Sequence, residues 1–146
     1  MKDWAVIPAA LLYVLFDYVW FNVVIRMASS VWRRVIGRLV QAAVFTGIAA
    51  VLLVREAYLG FALWILWQFM WVYDALYYLW AWILSVRGWE DRYTVVRLVY
   101  KPYISHAWWT PAAWWNRGKP DADDLGLQVS VALVMGLGAL LARLVG

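Results

Sequence analysis

The stretch Ala57 to Val86, AYLGFALWILWQFMWVYDALYYLWAWILSV, is 30 residues long and contains one charged side chain, Asp74, and one amide, Gln68. A helix needs ~20 mostly apolar residues to cross the hydrocarbon of a bilayer. This run exceeds one span, so it is expected to tilt or to extend beyond the hydrocarbon at one end. On its N-terminal side, Arg55-Glu56 leaves almost no loop before a second apolar run, Leu39 to Val54. That junction reads as a tight helical hairpin or as a break within a longer helix. The second run is short, and flanking residues are expected to complete the span. Further out lie Trp4 to Ile25, followed by Arg26, and Leu125 to Val145. The expected fold is all-α: a polytopic membrane protein in a single domain, residues 1–146, with spans at about 4–25, 39–54, 57–86 and 125–145 and an interfacial connection over 87–124.

Composition points the same way. The chain is 66% hydrophobic and 15% charged, with mean hydropathy +0.68, whereas soluble domains are roughly half apolar and ~25% charged. Ten of the 13 basic residues are Arg, nearly all placed between apolar runs, and no basic patch on a polar domain marks a nucleic-acid binder. With no cysteine and a single histidine, His106, the chain has neither thiolate metal sites nor a bis-histidine haem. Met1-Lys2-Asp3-Trp4 lacks a basic n-region, and Asp17 interrupts the apolar run behind it, so the first helix is expected to be retained rather than cleaved.

Positive residues mark the cytoplasmic side of a membrane. The first loop is read as carrying Arg26, Arg33, Arg34 and Arg38. The connection after the third span carries Arg87, Arg92, Arg97, Lys101, Arg117 and Lys119. Both long connections are therefore expected in the cytoplasm and both termini outside, with the protein integral to the cell membrane as a multi-pass chain.

Within that connection, Trp89, Tyr93, Val96, Tyr100 and Tyr103 recur at spacings of four and three, the stripe of an amphipathic helix lying in the interface and ended by Pro102. Arg97 and Lys101 would reach lipid phosphates. In the next segment Thr110 caps a short helix, Pro111 sits in its first turn and Gly118 at its end. Trp108, Trp109, Trp114 and Trp115 would anchor that segment against the membrane or a partner subunit, because indole pairs an apolar ring with an N–H that seeks a partner. Asp121, Asp123 and Asp124 suit the N-terminus of the fourth span.

Asp17 and Asp74 lie inside apolar runs, where an ionised carboxylate costs at least ~2.5–3.5 kcal/mol. Counting back from Arg26 and Arg87 at 1.5 Å per residue puts them about 13 and 20 Å deep, close enough in depth to be neighbours if their helices touch. Tyr13, Asp17 and Trp20 share one helical face, and Trp64, Trp67, Trp71, Asp74 and Tyr78 line another. Asp17, Asp74, Tyr13 and Tyr78 are thus the candidate proton or ligand site. The competing reading makes the carboxylates interhelical glue. Ala42, Thr46 and Ala50, and likewise Ser130, Gly138 and Ala142, form small-residue rows suited to close helix packing.

Asp17-Tyr-Val-Trp20, Arg26 and Trp32-Arg-Arg-Val-Ile-Gly37, with Tyr73-Asp74 and Gly88-Trp89, resemble the pattern of an uncharacterised prokaryotic family of four-helix membrane proteins with Asp-x-x-Trp in helix 1 and Tyr-Asp in helix 3. The match covers about residues 10–38 and 70–89. It departs in the spacing from Tyr-Asp to Gly-Trp and in a longer connection to the fourth helix. The resemblance implies the four-helix architecture and no activity.

Two functions follow. In the first, the chain is a structural or accessory membrane subunit that packs against partner subunits and lipid. In the second, it is a small oligomeric proton- or cation-coupled transporter that uses the intramembrane carboxylates. No phosphate loop, nucleophile elbow or metal-ligand cluster supports an enzyme, and His106 near Arg97, Lys101 and Asp121 is the nearest approach to one. Other membrane subunits or further copies of the chain are the expected partners, with no nucleic acid. No cofactor is expected beyond bound lipid, a quinone or carotenoid being the alternative for the aromatic run. No metal is expected.

Overall fold

The computed structural model describes residues 2–25, 30–84, 104 and 107–146. Every regular element among them is a helix. A 3-10 turn, Lys2–Ala5, leads into α1, Val6–Trp20, which ends in a π-helical turn, Phe21–Ile25; α2 is Val31–Val54, α3 Tyr58–Phe69, α4 Val72–Leu84, α5 Pro111–Trp115 and α6 Ala122–Val145. Three continuous stretches, Lys2–Ile25, Val31–Val54 and Ala122–Val145, are long and apolar enough to cross a membrane; α3 and α4 reach that length only together. The chain divides into two compact units, Met1–Trp64 and Ile65–Gly146.

In the first unit, α2 starts well before its apolar run. Ser30 Oγ accepts a hydrogen bond from the Arg33 N–H at 3.3 Å, capping the helix. Arg33, Arg34 and Arg38, read from sequence as loop residues, therefore occupy the first turns of α2, and these residues supply the length the apolar run lacked. Arg26 lies outside the described residues. At the other end, Glu56 adopts φ 57°, the Glu56 N–H donates to Leu53 O and the Ala57 N–H donates to Leu52 O, both at 2.9 Å. This is a Schellman stop, which ends α2 with its last carbonyls satisfied. Phe45 of α2 then stacks on Trp64 of α3, centroids 5.0 Å apart. The two residues are nearly equidistant from the turn, so the Arg55-Glu56 junction is a tight hairpin and not a kink in one helix.

Asp3 explains how α3 begins without a capping side chain of its own. Its buried carboxylate accepts from the Gly60 N–H at 3.0 Å, one of the orphan donors at a helix N-terminus. The approach requires glycine, because a Cβ on residue 60 would meet the Asp3 backbone oxygen at 2.9 Å. Gly to Ala in a helix ordinarily gains about 1 kcal/mol. Here the backbone contact reverses the sign, and Gly60→Ala is expected to cost about 1–3 kcal/mol through overpacking, read as a lower thermal midpoint in detergent. The neighbouring Lys2–Glu56 ion pair, at 3.3 Å with both side chains about two-thirds exposed, adds little.

In the second unit the long apolar run breaks. α3 stops at Phe69, Trp71 takes φ 65°, and α4 leaves at 75° to α3. The excess length is thus accommodated by a sharp turn, and the stripe expected from Trp64 to Tyr78 does not exist as one helical face. Trp64 and Trp67 sit on α3, Trp71 at the break, and Asp74 and Tyr78 on α4. A left-handed conformation is unfavourable for an aromatic residue, and burial of the ring offsets it. Trp71 is 1% exposed and packs with Tyr78, Ala107, Ala112 and Leu125, with Tyr77, Trp109 and Val129 at the margin.

The segment before α6 is ordered by its own caps. Thr110 Oγ1 accepts from the Ala113 N–H and donates to Ala107 O, Pro111 opens α5, and Arg117 and Gly118 both carry positive φ at its end. Asp121 caps α6, its carboxylate accepting from the Asp123 N–H at 3.1 Å. These agree with the sequence expectations. The amphipathic helix expected to begin at Trp89 and end at Pro102, with Arg97 and Lys101, falls outside the described residues.

Candidate functional site

The polar centre of the first unit is built where α1 and α2 run antiparallel. Tyr13 meets Phe45, Asp17 meets Gln41, and Trp20 meets Gly37, one turn after another. Gly37 allows the helices to close at that end: its carbonyl accepts from Trp20 Nε1 at 3.0 Å, and a Cβ there would stand 2.7 Å from Ile25. The π-helical turn that carries Ile25 also leaves Asn22 Nδ2 donating back to Tyr18 O at 2.8 Å.

Asp17 is half-buried on this face. Its carboxylate accepts a hydrogen bond from Gln41 Nε2. Gln41 is buried, and its Oε1 accepts from Arg38 Nη1 at 2.9 Å. The Arg38 guanidinium lies 5.1 Å over the Phe21 ring and attracts the carboxylate electrostatically. Carboxylate, amide and guanidinium thus form a chain from the helix interface to an exposed arginine. Tyr13, one turn away, sits edge-on to Phe45 and Trp64, each at 5.5 Å. Sequence reasoning missed Gln41. The available signal was an amide alone in the Leu39–Val54 run, at the level Asp17 reaches when two spans fold back across a short loop.

A second polar centre, also missed from sequence, lies in the other unit. Gln128 of α6 is buried. Its Nε2 donates to Met70 O at 3.0 Å, and its Oε1 accepts from the Ala112 N–H at 2.7 Å. Met70 is the carbonyl released where α3 breaks, and Ala112 is an N–H at the start of α5. One side chain therefore satisfies two backbone groups that helix ends leave open. Trp67 Nε1 donates to Ala132 O at 3.2 Å one turn along, and its ring fills the space that Gly136 leaves. Asn116 Nδ2 donates to Asp124 and ties the end of α5 to the start of α6.

The four expected site residues fall two and two on the units: Asp17 and Tyr13 in the first, Asp74 and Tyr78 in the second. The break changes the meaning of Asp74. Sequence placed it in mid-helix; the structure places it in the first turn of α4, where unpaired N–H groups favour a carboxylate. Tyr78 packs in the Trp71 core. Of the four connection tryptophans, Trp108, Trp114 and Trp115 are exposed, while Trp109 turns toward that core. Phe69 meets the Trp114 ring edge-on at 5.3 Å. Among the described residues no group of three His, Cys, Asp or Glu is placed to hold a metal.

No protein-family model, curated protein or solved structure matches this chain. Any functional reading therefore rests on the helices, the two polar centres and the outward faces. The small-residue rows Ala42, Thr46, Ala50 and Ser130, Gly138, Ala142 are exposed, as are Val31, Trp32, Leu39 and Val54 on α2 and Val134 and Met135 on α6.

Proposed function

We propose that this chain is an integral membrane protein of the structural or accessory kind, packing against partner subunits and lipid, with both termini outside and the long connections in the cytoplasm. The observation that carries this reading is the Asp17–Gln41–Arg38 chain. An intramembrane carboxylate bonded to an amide on the adjoining helix does the work of interhelical glue, worth ~0.6–2 kcal/mol. Exposed apolar faces on α2 and α6, and the outward tryptophans of the connection, are surfaces suited to lipid and partner helices.

Asp17→Leu would leave the buried Gln41 amide without its acceptor and is expected to cost about 2 kcal/mol. Asp17→Asn retains an acceptor and should cost under about 1 kcal/mol. Thermal unfolding in detergent reads both, alongside native mass spectra of the protein extracted with its neighbours. Copurifying subunits at fixed stoichiometry, lost in Asp17→Leu, support the accessory role.

The second reading, a small oligomeric proton- or cation-coupled transporter, draws on one feature. A helix broken inside an apolar run, with Asp74 at the start of its second half, is a layout that transporters use for binding sites. A fully stable Asp17→Asn protein that loses proton-driven cation uptake in vesicles would favour it over the accessory role.

A further inference from the structure

The first turns of α2 present an open groove lined by Val31, Arg34, Val35, Arg38, Leu39 and Ala42. Arg34 and Arg38 stand one turn apart on the same face, with apolar side chains between and beyond them. Two cations at this spacing repel; Arg38 is drawn toward the Asp17 carboxylate, while no acidic residue in the first turn of α2 stands beside Arg34. No carboxylate lines the groove. Arg38 is already oriented: one guanidinium nitrogen is committed to Gln41 and Cζ stands 5.1 Å over the Phe21 ring, with the residue itself exposed. Trp32, 77% exposed on the same turn, has the amphipathic character of a residue at the headgroup level. From Arg34 to Ala42 the helix rises about 12 Å, so the apolar floor runs inward from the charged rim along the direction an acyl chain takes.

We propose that this groove holds one anionic glycerophospholipid, its phosphate bridging Arg34 and Arg38 and an acyl chain lying along Val35, Leu39 and Ala42. Charge complementarity selects the headgroup, because paired guanidinium forks bind phosphate oxygens in a geometry that an ammonium does not reproduce. The apolar floor selects a lipid over a free anion. The inference rests on the reading that α2 spans a bilayer, and it is independent of whether the chain is an accessory subunit or a transporter.

The test is native mass spectrometry of the full-length protein released from nanodiscs of equal parts phosphatidylglycerol and phosphatidylcholine, with and without 50-fold excess inorganic phosphate in the buffer (on the order of a competing free anion for the guanidinium pair). The wild type is expected to retain one phosphatidylglycerol in preference to phosphatidylcholine and to keep it in the presence of phosphate. Arg34→Gln, which leaves the Arg38–Gln41 bond in place, should reduce that retention about tenfold, as expected for losing one charge-assisted partner. Arg34→Lys should recover only part of it. Equal retention of the two lipids by the wild type, unchanged retention in Arg34→Gln, or displacement by phosphate would each overturn the proposal. Circular dichroism of Arg34→Gln separates lost binding from lost folding: an unfolded variant shifts the decision to the wild-type lipid preference and phosphate competition. A failure here leaves partner copurification untouched, so it is distinguishable from failure of the accessory reading.

Discussion

Gln128→Leu is expected to lower the thermal midpoint of the protein in detergent by about 10 °C. The side chain is similar in size, so packing changes little, and the loss is polar. Met70 O and the Ala112 N–H each lose their bond to the Gln128 amide. A buried backbone group left without a partner costs roughly 1–3 kcal/mol, and about 3 kcal/mol for the pair corresponds to a shift near 10 °C for a chain of this size. The damage should be local as well as global. Hydrogen exchange is expected to rise first at the break after Met70 and at α5, before the interior of α6. A shift below about 3 °C, a kcal/mol or less on the same scale, would mean that Gln128 does not hold the break and α5 together.

At Trp71 the expected ranking of substitutions inverts the usual helix scale. Trp71→Ala removes a ring that is 1% exposed and should cost about 3–5 kcal/mol. Trp71→Gly removes the same ring, but the residue sits at φ 65°, where glycine pays no Cβ penalty and alanine does. Trp71→Gly is therefore expected to be about 1 kcal/mol more stable than Trp71→Ala, whereas in a helix interior alanine is favoured by about that amount. Chemical denaturation of the two variants side by side gives the sign. Alanine coming out ahead would place residue 71 in ordinary helix and remove the break as a fixed feature of the chain.

These two sites show where sequence reasoning stopped. Span lengths and the caps at Thr110 and Asp121 are local: apolar run length, helical period and capping chemistry depend on residues within a few positions. The two caps agree with the structure, and the apolar length suffices for three to four crossings. Arginines look like span boundaries, so the first turns of α2 read from sequence as loop, although Ser30 supplies a cap. Asp17 was recognised as needing a partner, but Gln41 lies on another helix, 24 positions away, and nothing local to either residue names the other. The break at Met70-Trp71 carries no proline or glycine. Its stability comes from burial of an aromatic ring and from an amide 58 positions further on, neither of which leaves a mark on neighbouring residues.

By itself the sequence determined that the chain is helical, that it holds apolar length for about four membrane-crossing segments, where the structure has three to four, and which residues cap α5 and α6. Those properties follow from the chemistry of consecutive side chains and the period of the helix. Only the tertiary structure decided that the Arg55-Glu56 junction is a hairpin, that the aromatic run is two helices set at 75°, and that Asp74 opens a helix instead of interrupting one. It also decided which polar groups meet: Asp17 with Gln41, and Gln128 with the freed ends of two helices. The reason is physical. Apolar surface can be buried against many neighbours, but a polar group in an apolar interior requires one partner at hydrogen-bond distance, and that partner is chosen by how the helices pack.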